Sequence, residues 1–224
     1  MPWNSRSVRS LYLLGLLAGT VLPGATAEAR DFSADLLKLD AAGGAGAIAG
    51  KVFVAGDKVR IETADVPGGF FLLDGERAAY FVRPSQHIYM DAKQSSWLSQ
   101  LLVPVDPADP CRKWQAMAVL AGAADQGGAW RCEKLGVDPI DGRPAVKYAT
   151  TSPKGQHSDG WIDPSLGFLV RMQAADDAGF ELHNIREDAQ PESLFEIPAS
   201  YLKFDPQRLI EQIKQSDVWV EPPK

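Results

Sequence analysis

The chain has 224 residues, 45% of them apolar, and carries 23 basic against 29 acidic side chains for a formal charge of −6. A balance this acidic is a poor fit to nucleic acid or to direct adhesion on an anionic lipid surface. The apolar content is ample for a core, which excludes disorder as the general state of the chain.

The first segment reads as an export signal. Arg6 and Arg9 precede the apolar run Leu11 to Ala18, and Ala25-Thr26-Ala27 has the small-residue pattern of a cleavage site. The run is shorter than the roughly 20 apolar residues a membrane span needs. Cleavage after Ala27 takes 27 residues from 224, leaving 197. It also removes two arginines and no acid, so −6 becomes −8. The expectation is a single periplasmic domain over 28–224 with no stable membrane insertion once the signal is cut. Cys111 and Cys132 both lie in the exported part, where two cysteines with none left over form one disulfide.

The mature chain alternates short β-type runs with Gly, Asp and Pro turns. Phe32 to Leu39 is the first strand, followed by a flexible connection at Gly43 to Gly46. Lys51 to Ala55, the turn Gly56-Asp57, and Lys58 to Glu62 form a hairpin, in which Val59 and Ile61 alternate with Lys58, Arg60 and Glu62. Gly69 to Leu73, Ala79 to Val82 and Gln86 to Met90 follow, with apolar groups on both faces, so this part of the sheet needs a covering layer on each side. A short helix is expected between Ser96 and Leu102. A longer one is expected from Pro110 to Ala124, with Asp109 as N-cap and Trp114, Met117, Ala118 and Ala121 at helical spacing, ended by Gly127-Gly128.

Strands then resume at Trp130 to Leu135, Ala145 to Thr150, Gln156 to Ile162, Phe168 to Gln173 and Phe180 to Arg186, joined by turn sequences such as Asp141 to Pro144. A last helix begins at Asp205-Pro206 with Leu209, Ile210 and Ile213 on one stripe. Ten or eleven strands linked by short connections favour an antiparallel sheet over βαβ units. There is no internal repeat and no break suggesting a second domain.

Trp161-Ile162-Asp163-Pro164, Gly167 to Arg171 and Phe195 to Tyr201, together with the hairpins and the inserted helix, resemble the LolA/LolB-like periplasmic lipoprotein carrier superfamily. Gly56 to Glu62 with Gln86 to Met90 is similar to its DUF4412-type branch. The resemblance implies an α+β fold, an open antiparallel half-barrel of about eleven strands with helices covering an apolar concave face. It also implies an acyl or lipid ligand. The carriers' Arg-Pro pair after an early strand is absent, since that region reads Ala55-Gly56-Asp57-Lys58.

On that frame the candidate cavity and lid residues are Val59, Ile61, Phe71, Leu73, Phe81, Tyr89, Trp97, Leu101, Trp114 and Met117, with Arg60 and Arg171 as charges at the rim. For each apolar residue the alternative is ordinary core packing, and for each arginine a surface ion pair. The expected partner is a lipid or an acylated protein, with a membrane protein as a further possibility. The alternative function is a module that docks a protein on its sheet and carries no lipid.

Catalytic chemistry has little to stand on. No nucleophile elbow, zinc-helix motif or phosphate loop occurs, and no cofactor or metal is implied. His157 and Asp159 could join Asp163 around a metal, but His and Asp beside turns are ordinary. Asp176-Asp177 lies in a turn, and neighbouring carboxylates on a strand, as at Glu187-Asp188, point apart. His183 reads as part of a solvated strand face.

Overall fold

The computed structural model describes Met1 and residues 30–40, 44–75, 78–92, 98–122, 128–175, 179–206, 210, 211 and 214. The expected signal segment, Trp97 and the Asp176-Asp177 pair lie outside the described residues. The first meander comprises β1 (Phe32–Leu39), β2 (Ala45–Ala55), β3 (Lys58–Thr63), β4 (Phe70–Asp74), β5 (Ala78–Arg83) and β6 (Ile88–Asp91). Helices α1 (Leu98–Leu101) and α2 (Pro110–Leu120) follow. The second meander comprises β7 (Arg131–Ile140), β8 (Arg143–Thr151), β9 (His157–Asp163), β10 (Phe168–Ala174) and β11 (Gly179–Arg186), and β12 (Leu202–Lys203) ends the sheet.

All twelve strands form one open sheet in the order β12-β6-β5-β4-β3-β2-β1-β11-β10-β9-β8-β7. The two meanders meet where β1 pairs antiparallel with β11, with Leu36 opposite Leu182. Every neighbouring pair is antiparallel except β12 on β6. The expected open antiparallel sheet with few helices is therefore present, with β12 as an added short strand.

Two connections are long rather than short. β6 and β7 are ten steps apart in the sheet, about 48 Å along it at the usual strand spacing. The described part of residues 92–130, with α1 and α2 in it, lies on one face of the sheet. Alternate residues of the sheet point toward the helices. Phe32, Ala34 and Leu36 of β1, Val52 and Val54 of β2, and Val59 and Ile61 of β3 join Leu101, Leu102, Val103, Trp114 and Met117 in one buried cluster. This is the inner face.

The second long connection, residues 187–201, crosses the other face to reach β6. There Phe70 and Leu72 of β4 and Val82 of β5 form a separate cluster with Phe195, against which Phe53, Tyr80, Tyr89, Leu194, Ile197 and Tyr201 pack. The Leu202 and Phe204 amides then donate to the His87 and Tyr89 carbonyls at 2.9 and 2.7 Å. The two-sided apolar pattern of β4 and β5 is explained by this strap, whose irregular, proline-containing sequence gave no periodic signal.

Several boundaries differ from expectation for local reasons. β2 begins at Ala45, inside the stretch expected as a flexible connection. Its glycines let the ladder bend: a Cβ on Gly50 would stand 1.8 Å from the Glu62 carbonyl oxygen. Helix α2 has the expected cap, with Asp109 accepting from the Arg112 amide at 3.3 Å. It stops at Leu120 rather than near Gly127, with Gly122 at φ 70° just beyond it. β7 and β8 run longer than the turn sequence suggested and take in Pro139 and Pro144, so only Asp141-Gly142, at φ 47° and 75°, forms the hairpin turn. At the C-terminus Pro206, Ile210, Glu211 and Lys214 are helical, as expected.

Cys111 and Cys132 are bonded and tie the start of α2 to β7 across a separation of 21 residues. Replacing both by Ser should lower the unfolding free energy by about 3 kcal/mol through restored freedom of the unfolded loop. Urea denaturation of the two proteins measures it, and equal stabilities would show that the bridge closes no loop that folding has to order.

Candidate functional site

The inner face gathers most of the predicted binding residues. Val59, Ile61, Leu73, Leu101, Trp114 and Met117 are all in the large cluster, and each is at most 3% exposed. Phe71 packs against that cluster, and Phe81 stacks on Phe71 with ring centres 5.1 Å apart. Tyr89 is elsewhere, on the strap side, beside Tyr80 at 5.5 Å. The register explains this: Phe81 opposes Met90 while Val82 opposes Tyr89, and Val82 belongs to the strap cluster. Alternation along β6 therefore turns Tyr89 outward.

The crossover meets the sheet mainly through apolar side chains. Its start is tied to β5 by the Ala92 amide, which donates to the Ala79 carbonyl at 2.8 Å, and further polar ties follow α1. The Val105 amide donates to the Gly167 carbonyl at 2.7 Å. The Tyr148 hydroxyl donates to the Pro107 carbonyl at 2.6 Å, and within the crossover itself the Trp130 amide donates to Gln115 Oε1 at 2.9 Å. Burial pushes the Tyr148 phenol up from its ordinary pKa, with the nearby Asp106 and Asp109 carboxylates adding to the effect. Inside the crossover, Trp114 Nε1 donates to the Leu101 carbonyl at 3.2 Å, so the two helices are linked to each other. Trp114 also packs on Trp130, centroid to centroid 5.6 Å.

Neither arginine assigned to the rim stands near the helices. Arg60 donates to Glu62 Oε1 at 2.9 Å and to the Leu194 carbonyl at 3.1 Å, and its guanidinium lies 3.6 Å from the Phe70 ring centre. It fastens the strap. Arg171 donates to Glu181 at 2.6 Å and to Gln173 at 3.2 Å. Strand alternation points it away from Phe180 and Leu182.

That outer face of the second meander carries a charged network. Trp161 lies between Lys147 and Arg171, whose charged groups sit 4.8 and 5.1 Å from its rings, and donates through Nε1 to Asp138 at 3.0 Å. Such stacking is favourable for each cation. Lys147 also pairs with Asp159 at 2.9 Å. The expected solvated face at His183 is in fact partly covered, since Glu181 is buried and is shared by Arg171 and His183. A groove of about 790 Å³ opens beside this network, lined by Arg131, Glu133, Thr151, His157, Asp159 and Gln173. A second of about 380 Å³ lies by Ile48, Gly50, Lys51, Arg60 and Phe70. Neither groove is lined by α1 or α2.

The metal candidates do not converge. His157 bonds Thr151, Asp159 pairs with Lys147, and Asp163 is fully buried in another arrangement. Among the described residues no group of three or more metal-binding side chains is gathered. Asp163 accepts from the Ser165 amide and hydroxyl, the Leu166 amide and Arg143 Nε, the last at 2.6 Å. Arg143 reaches on to Glu187 at 2.8 Å, and Glu187 to Arg30 at 3.0 Å. This chain of charges ties the β9–β10 turn to the start of β8 and to the end of β11.

Burial alone would raise the Asp163 carboxyl, but the bonds from Ser165 and Arg143 outweigh it and hold the pKa below the usual value. Glu187 is lowered by its bonds to Arg30 and Arg143. Arg143 is raised: burial opposes the charge, and the bonds to Asp163 and Glu187 prevail.

No family model and no curated protein matches the chain. Solved structures similar to it include PNGF-II, at 11% identity and a TM-score of 0.49 over 84% of this chain and 34% of that one. MucB in complex with MucA(peri) is another, at 14% identity and a TM-score of 0.37 over 77% and 56%. A LolA superfamily protein from Nitrosomonas europaea aligns at 14% identity and a TM-score of 0.35 over 75% of this chain and 90% of that one. The chain thus spans about a third of the length of PNGF-II and just over half that of MucB.

A carboxyl whose folded-state pKa is depressed contributes stability above its unfolded value, near pH 4, and loses that contribution as pH falls through the folded value. Asp163→Asn should therefore cost about 3 kcal/mol at neutral pH and flatten the loss of stability below about pH 4. Urea denaturation from pH 7 to pH 3 reads both effects. A variant as stable as the parent at pH 7, or one with an unchanged acid limb, contradicts the role given to Asp163.

Proposed function

We propose that this chain is an exported, non-catalytic binding protein that receives an apolar chain, a lipid tail or the acyl group of a modified protein, between its inner sheet face and the crossover. Export by cleavage after Ala27, a periplasmic location and a single domain over 28–224 belong to the same proposal. No helix of the described residues is long and apolar enough to cross a membrane.

The observation that carries the reading is the composition of the contact between crossover and sheet. Val59, Ile61 and Leu73 face Leu101, Trp114 and Met117 in a single apolar cluster. Apolar burial is non-directional, so an acyl chain can replace those contacts at about 0.8 kcal/mol per buried methylene. The fixed ties support a lid that opens between two held ends, since the Ala92 amide donates to the Ala79 carbonyl of β5 at 2.8 Å and fixes the start of the crossover. The disulfide at Cys111, the Tyr148 bond to Pro107 and the Val105 bond to Gly167 all hold the later part of the crossover to β7–β10. The part proposed to move is α1 with Leu102 and Val103, which join the sheet in the apolar cluster.

A brominated fatty acid tests the site, because bromine quenches tryptophan only on close approach. Titration into the mature protein should quench its fluorescence in a saturable way, and Trp114→Phe should remove a large part of the quenched signal. Protein taken from its own exported compartment should also yield bound lipid or acylated peptide by native mass spectrometry. Absence of both quenching and co-purifying lipid would overturn the proposal.

A further inference from the structure

The two ends of the sheet are finished differently. Edge strands expose unpaired backbone groups and are normally kept short, charged or irregular to prevent indiscriminate pairing. β12 is only two residues long, whereas β7 runs for ten residues and, among the described residues, pairs on one side only, with β8. Two large apolar side chains stand exposed on it, Leu135 at 53% and Val137 at 61%. Pro139 and a bulge between Lys134 and Gly136 interrupt the strand. These features discourage a flat strand of arbitrary sequence.

They do not discourage the same strand running antiparallel. When Arg131 of one copy is set opposite Asp138 of another, Cys132 falls opposite Val137, Glu133 opposite Gly136, and Lys134 opposite Leu135. The bulges then meet symmetrically at the axis. Arg131 and Asp138 share a face: Arg131 lines the outer groove, and Asp138 bonds Trp161, which stacks with Lys147 on that side. The opposed charges therefore pair twice, once at each end of the strand pair, as directly opposite unlike charges in a sheet do favourably. β7 is also charge-balanced, with Arg131 and Lys134 against Glu133 and Asp138, in a chain whose net charge of −6 opposes self-contact elsewhere.

We infer that β7 is the interface for a second copy of this chain, joined edge to edge in an isologous antiparallel pair that continues the sheet across a twofold axis. A contact limited to one strand from each copy is small, so the dimer is a weak, reversible one. The inference is independent of what the inner face binds, since β7 lies at the sheet's edge and the lid contacts stay covered.

Sedimentation of the mature chain between about 1 and 100 μM, the range of weak reversible association, tests it. The expected result is a concentration-dependent monomer–dimer equilibrium. Val137→Lys, at an exposed position, should weaken it at least tenfold with an unchanged melting temperature. Arg131→Glu should weaken it too, and Arg131→Glu combined with Asp138→Arg should recover it. A monomer at every concentration, or a dimer indifferent to Val137→Lys, overturns the inference. So does a folded double variant no better than Arg131→Glu alone. Intact fatty-acid quenching in the Val137→Lys monomer would show that a failure here leaves the binding proposal untouched.

Discussion

The pairing of β1 with β11 is the constraint on which the rest of the molecule depends. It fuses two meanders into one sheet and so sends β6 and β7 toward opposite ends. The chain must then travel the width of the sheet between them. That journey puts α1 and α2 on the inner face whether or not a ligand is involved. The same seam leaves β11 in mid-sheet, so the residues after it have a second face to cross, and the strap covers the apolar side chains of β4 and β5.

Each face is thus covered by a connection rather than by a second layer of regular structure, and the two connections are held by different physics. The strap is fixed by Phe195 in its cluster, by Arg60 on the Leu194 carbonyl, and by the β12–β6 ladder. The inner crossover is held at its start by the Ala92 amide on the Ala79 carbonyl and along its later part by a disulfide and hydrogen bonds, while Leu101, Leu102 and Val103 join the sheet in the apolar cluster. Apolar contact is the kind of interaction a lipid tail can substitute. On the proposed reading, that difference puts a ligand at the inner face rather than under the strap. The charged chain from Asp163 through Arg143 and Glu187 to Arg30 gives the seam end of the sheet a rigid frame.

Much of this was legible before any coordinates. β1 and the α2 cap were readable from alternation, from Asp109-Pro110 and from the turn glycines, because these are local signals. The pairing of Cys111 with Cys132 followed from their number and from the export expected of the chain. Six of the ten candidate cavity residues converge because apolar alternation on β3 and β4 and helical spacing on α2 both report burial. Tyr89 went to the wrong face because β6 is apolar on both sides and alternation cannot choose between them. The strap was hidden because residues 187–201 have no period at all, and its partner on Arg60 lies 134 residues away. The twofold reading of β7 needed the sheet order, since nothing in the sequence distinguishes an edge strand from an interior one.

The central claim is that the inner crossover opens from α1 to admit an apolar chain while the sheet stays intact. Hydrogen exchange resolved by segment, with and without oleate, measures this directly, because local opening exchanges amides at a lower free energy than global unfolding. The account predicts that amides of α1 and the following residues exchange far faster than those of β1 and β11, and that oleate changes exchange at α1 and α2 without altering the seam. Protection at α1 equal to that of β1 and β11, with no response to oleate, would contradict it.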